Sequence, residues 1–407
     1  MSRERIVVAG AGLAGLRAAE RLRELGFEGE LVMIGDEPHR PYQRPALSKE
    51  FLLGQLTARE LALRSYEELD AVWRLGARVE GLDPRRRTLE LPGGEPMTYD
   101  GLVIATGVQA RHLPGLPLHD PRVRAFRTLE DALALQRTLR ASDLPVLVLG
   151  GGFIASELAA SLRGAGRDVV LVSRSPVLMG QVFGDELGTA VGRLHESRGV
   201  QLELGTQVSN WLLRDWGVGA HLSTGKLVVA GAVVIANGSV PATGFLRGSG
   251  LDATDGVLAG PTCHVDGAED VVVAGDVARW PNLRFDEVPR RIEHWLNAVE
   301  MGRAAADGLL AGPAAAVPYC PVPRFWSELY GIRFQSAGMP GLGDHTIPLG
   351  GDPARRRGVL GYRNDRRLLG VIGRDSPRKM VKWTSLLQRG PSLHTRRHPV
   401  SAFRDAG

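Results

Sequence analysis

At 407 residues, with 43% apolar and 23% charged side chains, the chain has length for two to three domains whose cores need neither metal nor disulfide. Its two cysteines, Cys263 and Cys320, form no C-x-x-C pair, which excludes a thioredoxin-type redox disulfide and a zinc knuckle; they read as small hydrophobes, and no metal site is expected. No window approaches the roughly 18 apolar residues of a membrane span, and the formal net charge of +5 favours an acidic partner or nucleic acid, or marks only a solvated arginine surface.

The first stretch, RIVVAGAGLAG at 5–15, is a β-branched apolar run followed by Gly10, Gly12 and Gly15 and then a helical pattern. Gly10 permits the tight turn, Gly12 lets backbone N–H groups approach a pyrophosphate, and Gly15 lets the helix pack close to the strand. The phosphates would meet the positive end of a helix starting near Leu13. Leu13, Leu16, Ala19, Leu22 and Leu25 form its apolar face and Gly26 ends it. A second strand at 30–34 leads to Asp36, placed to accept hydrogen bonds from ribose hydroxyls, or to serve as a plain turn acid.

Two prolines stiffen 40–49, where Ser48 is expected to cap the segment that follows. Strands are expected at 78–82, 88–91 and 102–107, the last (LVIATG) ending in a small-residue turn. A helix runs from 126–128 to about Arg140, with Glu130 and Asp131 in an ordinary solvated first turn. The opening pattern then returns: a strand at 145–150, Gly150, Gly152 and Ala155 in the glycine positions, a helix closed by Gly166, and a strand at 168–173. Two such units with matched spacing point to one flavin and one nicotinamide site. Strand-to-glycine turns recur at 233–238 and 269–276, where Asp276 suits a sugar-alcohol chain or a simple N-cap. A helix covers 303–310, a linker 312–316, and short strands and turns from Tyr319 mark a third domain.

The motifs GAGLAG (10–15), PYQRPALSK (41–49), ATG (105–107), RTLED (127–131), GGGFIASE (150–157), AGD (274–276), RIEHWLNA (291–298) and FWS (325–327) occur in this order. Together they resemble the FAD-dependent ferredoxin reductases of the putidaredoxin reductase type, which feed oxygenases. The resemblance fades over 355–407. It implies an α/β protein: two Rossmann-like dinucleotide-binding domains of the glutathione-reductase type plus a smaller α+β C-terminal domain. The implied boundaries are 1–112 and 238–312 for the FAD domain, 113–237 for the NAD(P) domain and 313–407 for a C-terminal interface domain.

It also implies residue roles. Gly10, Gly12, Ala14 and Gly15 hold the FAD pyrophosphate, Asp36 the ribose, and the Val79 backbone the adenine. Arg44, Ala105, Thr106, Gly107, Arg127, Gly275, Asp276, Glu293, His294 and Trp295 complete the FAD set. Of these, Arg127 faces the phosphates, Asp276 the ribityl chain, and the Trp295 backbone the pyrimidine ring. Gly150, Gly152, Phe153, Ile154, Glu157, Ser173, Arg174, Asn237 and Gly238 form the NAD(P)H set. Lys49 lies near flavin N5, where a fixed cation stabilises negative charge; Glu157 pairs with it, and Trp326 is a flavin wall or ordinary core.

The family usually carries glutamate where this chain has Ser173, followed by Arg174. A serine and a guanidinium suit a 2′-phosphate, so NADPH is expected over NADH. Gln43, Ala46, Ala155 and Gln181 are further departures. The expected partner is an acidic iron–sulfur ferredoxin, with Arg64, Arg303 and Lys379 as docking candidates. No nucleic acid or membrane partner is expected, because basic residues and aromatics do not interleave, and the N-terminus is too polar for a signal peptide. A cytoplasmic monomer or weak homodimer follows. The alternatives are a flavoenzyme acting directly on a small molecule, or a redox interaction protein like apoptosis-inducing factor.

Overall fold

The computed structural model describes residues 4–63, 69–94, 96–352, 357–365 and 367–390. Its principal elements, in chain order, are β1 (Arg5–Ala9), α1 (Leu13–Glu24), β2 (Glu30–Gly35), β3 (Val72–Leu75), β4 (Gly101–Ile104), β5 (Val123–Ala125), α2 (Leu129–Ala141), β6 (Val146–Leu149), α3 (Phe153–Gly164), β7 (Val169–Ser173), α4 (Gly180–Ser197), β8 (Gln201–Leu204), β9 (Ala232–Ile235), β10 (His264–Val265), β11 (Ala268–Val273), α5 (Trp295–Ala311), β12 (Arg324–Leu329), β13 (Ile332–Gly338), β14 (His345–Asp352), β15 (Arg357–Asn364), β16 (Arg367–Arg374) and α6 (Pro377–Arg389). The chain divides into two compact units. One comprises Met1–Gln43, Ala62–Gln109 and Val240–Phe325; the other comprises Arg44–Leu61, Ala110–Ser239 and Trp326–Gly407.

The first unit is built on a sheet in the order β10-β11-β4-β1-β2-β3. β1 pairs in parallel with β2 and β4, and its residues Ile6, Val7, Val8 and Ala9 are at most 2% exposed. A continuous apolar run of this kind is what a parallel strand covered on both faces requires. α1 and α5 cross on small residues: a Cβ on Gly302 would lie 2.4 Å from the Ala14 carbonyl oxygen. β3 was not anticipated from sequence. It is an edge strand, and Arg40 lies 4.0 Å over its Trp73 ring. The strand expected at 78–82 is shorter, Gly81–Asp83, and pairs with Thr88–Glu90.

The second unit repeats the plan with a parallel sheet β8-β7-β6-β9-β5. An antiparallel meander (Val208–Arg214, Gly217–Leu222, Leu227–Ala230) packs Val218, Ala220, Leu222 and Val228 onto Leu147, Val170 and Val172. α4, also unanticipated, is bent at Gly184 (φ +73°). From Trp326 onward the unit carries a five-stranded sheet, β12-β13-β16-β15-β14, with α6 on it. Within the region where the family resemblance fades, the described residues form β15, β16 and α6.

Two local expectations are corrected. Ser48 caps nothing: the single π-type turn Leu47–Phe51 starts from Ala46, and Ser48 is 4% exposed with its hydroxyl committed elsewhere. Asp131 is not a passive surface acid. Its Oδ2 accepts from the Arg127 and Thr128 N–H groups while Thr128 Oγ1 accepts from the Asp131 N–H, a reciprocal cap on α2. Among the described residues no helix is long and apolar enough to cross a membrane.

Candidate dinucleotide sites, one in each unit

In the first unit, three strand ends meet at one edge of the sheet. Gly10, at φ +124°, sits so close to the next turn that a Cβ there would lie 2.1 Å from the Ala105 oxygen. The Ala274 N–H donates to the Ile104 oxygen at 2.9 Å, and a Cβ on Gly275 would lie 2.8 Å from that of Ala14. Gly10, Ala105–Gly107 and Ala274–Asp276 thus surround the start of α1. That start has Gly12 as N-cap, no side-chain cap and no acid in its first turn, and a Cβ on Gly12 would meet nothing within 4 Å. Unsatisfied N–H groups facing open space are a phosphate cradle.

Asp36 stands just beyond β2, its side chain 55% exposed and 3.5 Å from Arg78; Val79 is buried. Thr106 Oγ1 donates to the Ala242 oxygen at 2.9 Å, and Gly107 takes φ +67°. Asp276 is not an N-cap, because Ala274 caps the short turn Gly275–Val277. Glu293 accepts from Arg291 at 2.5 Å. His294 is the N-cap of α5, and Trp295 opens that helix, again with no side-chain cap and no acid. The His294 ring lies 4.8 Å from that of Phe325. Its Nδ1 is buried without a partner among the described residues. Burial pushes its pKa down to about 4, which keeps the imidazole neutral at physiological pH. An orphaned buried nitrogen beside an open helix start fits a polar ring system that the chain itself does not supply.

In the second unit the same edge is formed by β6, β7 and β9. A Cβ on Gly150 (φ +142°) would lie 2.1 Å from the Ala236 oxygen, and one on Gly151 would lie 2.4 Å from Ser173 Oγ. Gly152 caps α3 with open space beyond it and no acid in the first turn. Asn237, beside Gly238 at the end of β9, has both Oδ1 and Nδ2 buried with no partner among the described residues. These features fit a second dinucleotide. Phe153 packs edge-on against Phe183 at 5.4 Å, with Ile154 next to it. Ser173 is 5% exposed, and its Oγ accepts from the Ser175 N–H at 3.1 Å. Arg174 is exposed, and among the described residues no acid pairs with it.

The same unit holds a buried charge pair. Lys49 Nζ lies 2.6 Å from Glu157 Oε2, with the side chains 19% and 9% exposed. Ser48 Oγ donates to the same oxygen at 2.9 Å and Ser327 Oγ to Oε1 at 2.8 Å. The Arg44 guanidinium donates to the Arg127 carbonyl at 2.8 Å. Trp326 is half-buried on β12 and, by the pleat, faces away from Ser327. Sequence reasoning gave neither serine a role here. Of the docking candidates, Arg303 is forked on Glu24 at 2.9 and 2.6 Å rather than available as a lone cation. Lys379 is exposed on α6, and Arg64 lies outside the described residues.

Residues 4–302 match the family described as pyridine nucleotide-disulphide oxidoreductase, and residues 324–398 match the reductase C-terminal family. A protein from Castellaniella defragrans named "Probable ferredoxin reductase" is 32% identical over 95% of this chain and 94% of its own. The ferredoxin–NAD(+) reductase subunit of a benzene 1,2-dioxygenase system from Pseudomonas putida is 32% identical over 94% and 92%. Putidaredoxin reductase, solved in covalent complex with putidaredoxin, superposes with a TM-score of 0.89 at 28% identity, covering 96% of this chain and 94% of that one.

Proposed function

This chain belongs to the pyridine nucleotide-disulphide oxidoreductase family, and on that premise we propose that it is an FAD-dependent NAD(P)H:ferredoxin reductase serving an oxygenase. The observation that carries the reading is the repeated build: two glycine turns at 10–15 and 150–155, each ahead of a helix with an uncapped, acid-free start. Bound FAD supplies the redox chemistry, taking up a hydride and giving up electrons one at a time. The chain binds and orients. Gly10, Gly12, Ala14 and Gly15 receive the pyrophosphate, Asp36 the ribose, Arg44 and Arg127 the phosphate side, and Asp276, His294 and Trp295 the flavin end. Glu157 fixes the Lys49 ammonium, a cation that would stabilise negative charge on the bound flavin ring. Trp326 walls the ring. We take the three-domain partition, a cytoplasmic location and a monomeric or weakly dimeric state as parts of the same proposal.

The partner is an acidic iron–sulfur ferredoxin. α6 supports this: Arg378, Lys379, Lys382 and Arg389 are exposed on a helix that carries no acid. Two experiments test the function. Anaerobic addition of NADPH to the purified holoprotein bleaches the flavin band near about 450 nm. Cytochrome c reduction then depends strongly on added ferredoxin. A rate independent of ferredoxin would favour direct action on a small molecule.

We further propose NADPH as the preferred donor. Ser173 is buried at 5% exposure, so the exposed Arg174 is the main group offered to a 2′-phosphate. A charge-assisted contact of about 1.5–3 kcal/mol corresponds to roughly 10–100-fold in affinity. Arg174→Ala should therefore lower kcat/KM for NADPH by about that factor and leave NADH nearly unchanged. A wild-type kcat/KM that favours NADH would remove this part of the proposal.

A further inference from the structure

Glu157 enters α3 one turn from its start, yet its side chain is almost fully enclosed: the residue is 7% exposed. The donors to its carboxylate come from three places in the chain. Lys49 and Ser48, on the turn Leu47–Phe51, both reach Oε2; Ser327, on β12, alone reaches Oε1. Ser48 and Ser327 are 4% and 1% exposed, so water does not compete for either bond. The last torsion of a glutamate is broad and two-fold, and donors on one oxygen alone leave the carboxylate free to swing about it. A donor on the second oxygen removes that freedom. Among the described residues no other group is recorded on Oε1.

We infer that Ser327 is a positioning residue for flavin reduction: by holding Oε1 it fixes the plane of the Glu157 carboxylate, and through Oε2 the place of the Lys49 ammonium. The inference rests on the reading above, in which that ammonium faces the flavin ring. Ser327 makes no recorded contact with Lys49, so its influence passes through Glu157. The neighbouring Trp326 lies on the opposite face of the strand, so the role of the hydroxyl is separate from that of the aromatic ring.

Stopped-flow reduction of the holoprotein by NADPH under anaerobic conditions tests this. Ser327→Ala should lower the limiting rate of flavin bleaching about tenfold, the equivalent of one hydrogen bond to a charged group. The dissociation constant for NADP+ should stay within about twofold, and so should the rate at which ferricyanide reoxidises the reduced protein. Ser327→Thr keeps the donor and should restore the rate; Ser327→Cys, a weak donor of similar volume, should fall between. The flavin midpoint potential should move to more negative values in Ser327→Ala, because a looser cation stabilises the reduced ring less. In a Glu157→Ala background the same change should cost less than about twofold, since the acceptor it acts through is gone. Ser336→Ala, removing a buried hydroxyl on the adjacent strand β13 that has no partner among the described residues, is the packing control and should match wild type.

A Ser327→Ala rate equal to wild type overturns the inference. So does full additivity with Glu157→Ala, or an equal loss in both half-reactions. If neither NADPH nor NADH bleaches the wild-type flavin, the proposed function fails instead.

Discussion

Glu157→Ala should lose about 3 kcal/mol of stability and slow flavin reduction by about 100-fold or more. The stability loss follows from what stays behind. The Lys49 ammonium, 19% exposed, loses its carboxylate partner at 2.6 Å and keeps the Pro45 carbonyl at 3.2 Å, and two buried hydroxyls lose their acceptor. Breaking one side of a buried pair costs about 3–5 kcal/mol; the residual exposure of Lys49 lets its stem reach toward water and places this case at the low end. The rate loss follows from a cation no longer fixed where charge develops, an effect worth about 10²–10³ for one preorganised group. Glu157→Gln separates the two. The amide keeps the shape and an acceptor, so most of the stability should return, but without the full charge the rate should stay well below wild type. Denaturant unfolding measured alongside stopped-flow bleaching reads both quantities. A stability loss below about 1 kcal/mol in Glu157→Ala would show that the ammonium escapes to solvent and that the pair is a surface contact in energy.

This pair also shows which parts of the molecule were legible in the sequence. The two α/β units were, because a parallel strand, a glycine turn and a helix are written in consecutive residues: Gly15 packs so close to the strand and its turn that a Cβ there would lie 2.0 Å from the Gly10 oxygen and 3.0 Å from Val8. α4 was not. It carries Gly180, Gly184, Gly188 and Gly192, residues that weaken a helical pattern, whereas Gly188 is needed because a Cβ there would lie 2.6 Å from the Leu178 oxygen. Ser327 was not legible either, since its acceptor is 170 residues away and no local pattern encodes a contact at that distance. Asp131 did have a signal, a threonine three residues before an acid at a helix start. The family resemblance named Lys49 and Glu157 together; only the structure shows that two serines close the cluster around them.

Loss of the cofactor itself should come from a single methyl group. Gly12 takes φ −91°, an ordinary value for any residue, and a Cβ there meets nothing of the protein within 4 Å. Gly12→Ala should therefore fold with an unchanged melting temperature in the absence of cofactor. The methyl group projects into the space in front of the α1 N–H groups, where a pyrophosphate must approach the backbone. Overpacking of about 1–3 kcal/mol corresponds to roughly 5–150-fold in FAD affinity, enough to yield a pale or colourless protein on purification. Gly15→Ala should fail for a different reason. Its Cβ would lie 2.0 Å from the Gly10 oxygen, so α1 must move off β1, and both fold stability and FAD should be lost. Gly152→Ala completes the argument. It has the same open surroundings at the start of α3, so it should stay yellow and fully folded while its KM for NADPH rises by a similar factor. Flavin content from the visible spectrum, melting temperature and NADPH kinetics distinguish the three variants. A Gly12→Ala protein that retains stoichiometric FAD would mean that the cofactor does not lie against this turn.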